Sequence, residues 1–160
     1  MEKTMIKKIL PIVCTLFFVA CSPSEQKQVE TEPQVEIKKD DPLINGRWYK
    51  QSQVDLGKGV FKESCAKCHG SNGQSVFGWK ERLADGSFPP PPLDGSAHSW
   101  HHPLSLLVGT VKAGGIARGG KMPPFKDHLS EEEIISVVAY FQNFWRDEIY
   151  QAWIQRGGLN

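Results

Sequence analysis

Cysteine is scarce in this chain. Four occur in 160 residues, at Cys14, Cys21, Cys65 and Cys68. If each has the role argued below, none remains for a structural disulfide. Strong charge is missing too: the formal net charge is +1, which excludes the electrostatic footprint of a nucleic-acid binder. The apolar run Ile9–Val19 has 11 residues, too few to span a bilayer. There are no paired carboxylates, no Ser-His-Asp set and no nucleotide fingerprint, so an enzyme is not expected. Methionine occurs three times, and two of those are Met1 and Met5.

Against these absences stands Cys65-Ala66-Lys67-Cys68-His69. C-x-x-C-H is the attachment pattern of a c-type haem. Each thiol can add to one porphyrin vinyl group, and the histidine that follows at once is carried under the iron. The rivals are a thioredoxin-like dithiol and half of a zinc site. A dithiol wants a βαβ setting and zinc wants a second ligand pair, and the sequence offers neither. One covalent haem c is the expected cofactor.

The N-terminus reads as an address. Lys3, Lys7 and Lys8 precede the apolar run, and Ala20-Cys21 follows it, as in a secretory signal. Phe18-Val19-Ala20-Cys21 resembles a bacterial lipobox. That resemblance implies cleavage before Cys21, acylation of Cys21 and a lipid anchor in the membrane of the cell envelope, facing the periplasm or the outer surface. The alternative is ordinary signal cleavage with Cys21 a bystander. Cys14 inside the apolar run is filler. Removing residues 1–20 takes away three Lys and one Glu and turns the formal charge from +1 to −1. Ser22–Asp41 is polar and free of aromatics, too poor in apolar surface to fold alone. About 20 such residues reach roughly 25 Å. The expected organisation is therefore a signal peptide over 1–20, a lipidated N-terminus and tether over 21–45, and a domain over 46–160.

Within the domain, Leu43–Lys50 is a docking segment with Trp48 and Tyr49. Val54, Gly57, Val60 and Phe61 predict a helix over about Val54 to Ser64. Gly57 is unfavourable there by about 1 kcal/mol unless another helix approaches closely. Ser130 followed by Glu133 predicts a capping box. Glu131, Glu132 and Glu133 suit the positive end of the helix that follows. Ile134, Val137, Val138, Phe141 and Trp145 form its apolar stripe, and no Gly or Pro interrupts it before Gly157. Ala139-Tyr140-Phe141 supplies bulk to meet Gly57 and Phe61.

Gly57, Phe61, Cys65, Cys68 and His69, with Val137-Val138-Ala139-Tyr140, resemble the first helix, haem motif and last helix of class I monohaem cytochromes c. The resemblance covers about residues 48–145. It implies a small all-α shell of helices around one haem. It also implies that a carbonyl of Pro91-Pro92-Leu93 faces the proximal imidazole; the bland alternative is a polyproline spacer. Asn72-Gly73 and Asp85-Gly86 mark turns in the loop between. Pro103 suits the start of a further helix, to about Lys112. His98, His101 and His102 could bind a metal, meet the haem propionates or lie at the surface. Gly115 to Lys121 fits G-x-x-x-x-G-K, but Met122 stands where a phosphate loop needs Ser or Thr, and a helix precedes it instead of a strand.

Met122 is the only methionine left once the leader is removed. Lys121-Met122-Pro123-Pro124-Phe125 resembles the methionine-ligand loop of the same cytochromes. This implies His69 and Met122 as axial iron ligands, with Cys65 and Cys68 holding the porphyrin. His98, His101, His102 and His128 are the competing ligands, and plain loop packing is the other role for Met122. The expected function is a membrane-tethered electron carrier between redox donor and acceptor proteins. The alternative is a haem enzyme or gas-sensing module with an open distal site, in which His98, His102 or Arg118 would assist a bound ligand. The role of Arg146–Asn160 is left open.

Overall fold

A computed structural model describes residues 41–160. The leader, Cys14, Cys21 and most of the tether lie outside the described residues. Among the described residues five α-helices follow in order: α1 Gln51–Ser64, α2 Ala66–His69, α3 Leu104–Ala113, α4 Glu131–Gln142 and α5 Asp147–Gln155. Short 3-10 turns occur at Ile44–Gly46, Ser99–His101 and Ile116–Arg118. No strand occurs among the described residues, only two isolated bridges, Leu43 with Lys50 and Phe88 with Gly120. The all-α class expected from the sequence is the one observed.

The centre of the fold is the crossing of α1 and α4. α1 buries Val54, Gly57, Val60 and Phe61 on one stripe. α4 buries Ile134, Ser136, Val137, Val138, Ala139 and Phe141. At Gly57 the backbones meet: a Cβ there would overlap the Ser136 carbonyl and lie 2.8 Å from Tyr140 Cβ. Glycine is thus used for close approach, which offsets its poor helix propensity. Phe61 completes the contact, its ring 5.3 Å from Tyr140 and 5.9 Å from Phe144.

The helix ends differ slightly from expectation. α1 begins three residues before Val54, where the Gln53 side chain accepts from Lys50 N at 3.0 Å. α4 starts as predicted: Glu133 N donates to Ser130 Oγ at 3.2 Å, and Ser130 N donates to the Glu133 carboxylate at 2.8 Å. Pro103, with ψ 161°, precedes α3 rather than opening it.

The apolar stripe through Trp145 is broken after Gln142. At the break lies Arg47, buried at 5% exposure. Its guanidinium donates to Gln142 O and Trp145 O, each at 2.8 Å, and to Asp147 Oδ1 at 2.7 Å. Those carbonyls are the ones a continuing helix would need for its own N–H groups. Burial works against the charge of Arg47, but hydrogen bonds to Asp147 and Tyr49 outweigh it and hold the pKa above its usual value. α5 then turns back, with Asp147 and Glu148 at the positive end of its dipole. It buries Tyr150 and Trp153. Tyr150 Oη accepts from Trp48 N at 2.9 Å, and Trp153 Nε1 donates to His102 O at 2.8 Å. The last residues therefore dock on the domain, and Tyr49 of the entry segment is fully buried.

Candidate functional site

Cys65 ends α1 and caps α2, so both thiols and the histidine sit on one short turn. Cys68 N and His69 N each donate to Cys65 O at 3.0 Å. Cys68 is exposed, Cys65 half-buried and His69 buried at 7% exposure. The two thiols are unpaired. Burial, then the neighbouring Cys68, pushes the Cys65 thiol up to about 11. A redox dithiol needs the opposite shift.

His69 is oriented from outside its helix. Its Nδ1 lies 2.9 Å from Pro91 O, as the resemblance implied. Nδ1–H is the donor in this pair, which leaves Nε2 as the nitrogen with a free lone pair. Burial holds the imidazole pKa below its usual value, against the opposing effect of the Pro91 carbonyl. A neutral ring is the form that binds a metal.

Met122 comes from a separate segment, half-buried against the core. Gly115 N donates to Met122 O at 2.9 Å. Gly114 makes the approach, with φ +75° and an added Cβ only 2.6 Å from Met122 O. Phe125 N donates to Val111 O at 3.2 Å and ties the loop to α3. Two further contacts tie it to the segment before Pro91: Phe88 N donates to Gly119 O at 2.8 Å, and Lys121 pairs with Asp85.

Three of the histidines pack against rings, one stacked and two edge-on. His98 lies 5.8 Å from Trp79 and 5.5 Å from His102, and His101 packs 4.1 Å from Trp100. His128 is exposed. Among the described residues no group of three or more His, Cys, Asp or Glu is placed to hold a metal ion. The zinc reading of Cys65 and Cys68 and the metal reading of the histidine cluster both lack their ligands. The Gly115–Lys121 stretch contains a 3-10 turn at Ile116–Arg118 instead of the helix start a phosphate loop requires.

The residues fit a covalent haem. The donor set is two thiols and an imidazole whose second nitrogen is already occupied. Exposed large apolar side chains concentrate between His69 and Met122: Val76, Phe77, Leu83, Phe88, Leu106 and Ile116. Only Leu43 and Leu159 lie elsewhere among those described. Sequence reasoning missed Ser75, whose Oγ donates to Pro90 O, Trp145, whose Nε1 donates to Leu93 O, and the Phe88–Gly119 bond as supports of this site. Their contacts join distant segments, and no spacing rule signals them.

A helical shell built on the Gly57–Tyr140 crossing, with a Cys65-Cys68-His69 turn and a carbonyl-oriented histidine, defines a c-type cytochrome domain. The family model described as cytochrome c oxidase, cbb3-type, subunit III matches residues 52–141. The chain belongs to that family, and membership implies covalently bound haem c. It is 28% identical over 128 residues to the cbb3-type cytochrome c oxidase subunit FixP of Sinorhizobium medicae (strain WSM419), covering 76% of this chain and 40% of the relative. It is 32% identical over 102 residues to the CcoP subunit of Azospirillum sp. (strain B510), covering 62% and 31%. The CcoP subunit of Azospirillum brasilense is 29% identical over 100 residues, again covering 62% and 31%. The chain thus spans less than half the length of these relatives. No solved structure matches it.

Proposed function

We propose that this chain is an exported, lipid-anchored monohaem electron carrier. Residues 1–20 direct export, residues 21–45 carry the lipid on Cys21 and act as a tether, and residues 46–160 form the haem domain. Cys65 and Cys68 would hold the porphyrin through thioethers, and His69 Nε2 and the Met122 thioether would be the protein's ligands to the iron. The bound haem would supply a one-electron couple. The observation that carries the reading is the His69–Pro91 hydrogen bond, which fixes the ring and makes its free nitrogen a better donor. The neutral, soft thioether of Met122 would favour ferrous iron and raise the potential. With His69 and Met122 both supplied by the protein as ligands, the bound haem would change oxidation state with little movement of the chain.

Redox donor and acceptor proteins are the partners, and nucleic acid is not. Because the relatives are named as oxidase subunits, a terminal oxidase of that type is the first acceptor to test. The lipid would hold the domain at a membrane of the bacterial envelope. No helix among the described residues is long and apolar enough to cross a membrane.

The test is the absorption spectrum of the ferric full-length protein, with carbon monoxide added to the ferrous form. A sulfur-to-iron band and slow carbon monoxide binding support the carrier. A missing band with rapid binding replaces it with an open-site enzyme or sensor.

A further inference from the structure

Four consecutive prolines, Pro89 to Pro92, make the strap that orients His69. None has a backbone N–H, so the strap cannot fix itself through backbone donors. A polyproline segment is stiff and transmits the position of its ends. At the far end Leu93 is held on both sides. Its N–H donates to Gly73 O at 2.6 Å, and its carbonyl accepts from Trp145 Nε1 at 2.8 Å. Ser75 Oγ also donates to Pro90 O.

Trp145 is itself immobilised. It is 1% exposed, sits in the break between α4 and α5, and its carbonyl accepts from Arg47 at 2.8 Å. Its ring lies 5.9 Å from Trp153. Gly95, with φ +88°, lets the indole close in, since an added Cβ would be 3.2 Å from Trp145 Cδ1. Trp145 also lies beyond the part of the chain matched to the family.

We propose that Trp145 is a positioning residue for the proximal histidine, acting through Leu93 and the proline strap on the Pro91–His69 hydrogen bond. The inference rests on the reading of His69 as the iron ligand. Weakening the Pro91 contact makes the imidazole a poorer donor and favours ferrous iron.

The experiment compares Trp145→Phe with Trp153→Phe in the haem-loaded full chain. Each removes one buried indole donor, but Trp153 bonds to His102 O and not to the strap. Trp145→Phe should shift the ferric–ferrous equilibrium about threefold toward ferrous iron, a rise of about 28 mV at 59 mV per decade. It should also speed solvent exchange of the His69 ring N–H measured by NMR. Trp153→Phe should change neither. An unchanged potential and exchange rate in Trp145→Phe, or equal changes in both variants, would overturn the inference. If Trp145→Phe does not accumulate, wild type decides. The Trp145 indole proton must then exchange at least about tenfold more slowly than that of Trp79 and shift with oxidation state; fast exchange or no shift overturns the inference. His69 ring protons without a paramagnetic shift in ferric wild type would remove the ligand reading and the inference together. The variants' null results remove the inference alone.

Discussion

The backbone N–H of Phe88 donates to the carbonyl of Gly119 at 2.8 Å. Through this bond the segment that leads to Pro91 and His69 is joined to the loop that carries Met122. Arg82 lies over the Phe88 ring at 3.9 Å and closes the same junction.

Gly119 has φ +82°, so Gly119→Ala should cost about 1–2 kcal/mol of backbone strain and loosen the Met122 loop. Carbon monoxide binding to the ferrous protein should become faster by stopped flow. Gly78 has φ +76° and open space around it, so Gly78→Ala should be similarly strained without that acceleration. Equal acceleration in both would argue that the junction does not hold the loop.

Gly57 and Gly59 both lie in α1 but face different surroundings. A Cβ at Gly59 meets nothing within 4 Å, so Gly59→Ala should stabilise by about 0.5–1 kcal/mol through helix propensity. Gly57→Ala forces α1 away from Ser136 and Tyr140. Overpacking of about 1–3 kcal/mol should exceed the propensity gain. Denaturant unfolding of the haem-loaded variants checks the opposite signs.

Met122→Ala should abolish the sulfur-to-iron band, open the iron to carbon monoxide or imidazole, and lower the reduction potential. Haem should stay attached through Cys65 and Cys68. A variant that kept its spectrum and potential would place a histidine on the iron, and His98, His101, His102 and His128 would be changed in turn.

His102 is held below the usual imidazole pKa, first by burial and then by His98, His101 and Arg118. Its pKa is depressed on folding, so its contribution to stability is present above about pH 6.5 and lost as pH falls through the lower folded value. His102→Gln should therefore reduce the drop in Tm between about pH 7 and pH 5. An identical drop in wild type and variant would show that other groups carry it.

Cys21→Ser should abolish fatty-acid labelling and release the haem domain from membranes. Metabolic labelling followed by fractionation reads this directly. Unlabelled wild type, or an unchanged membrane fraction in the variant, argues for ordinary signal cleavage.

The sequence by itself determined the parts whose physics is local. Cys65, Cys68 and His69 are adjacent, so their shared turn follows from spacing. Ser130 and Glu133 cap a helix because each reaches only one turn away. Gly57 announced a close crossing, because glycine inside a helix is unfavourable without one. Tertiary structure decided whatever depends on a distant partner. Arg47 takes carbonyls 95 and 98 residues away, at the place where α4 stops short of the apolar stripe's end at Trp145. Pro91 reaches His69 across a sequence separation of 22, and the resemblance, not any periodicity, pointed to it. Trp145 looked like one more apolar stripe residue, and only the fold shows its indole donating to Leu93. A periodic pattern records which face is buried. It does not record where a buried N–H or carbonyl finds its partner, because that partner is set by how the helices cross.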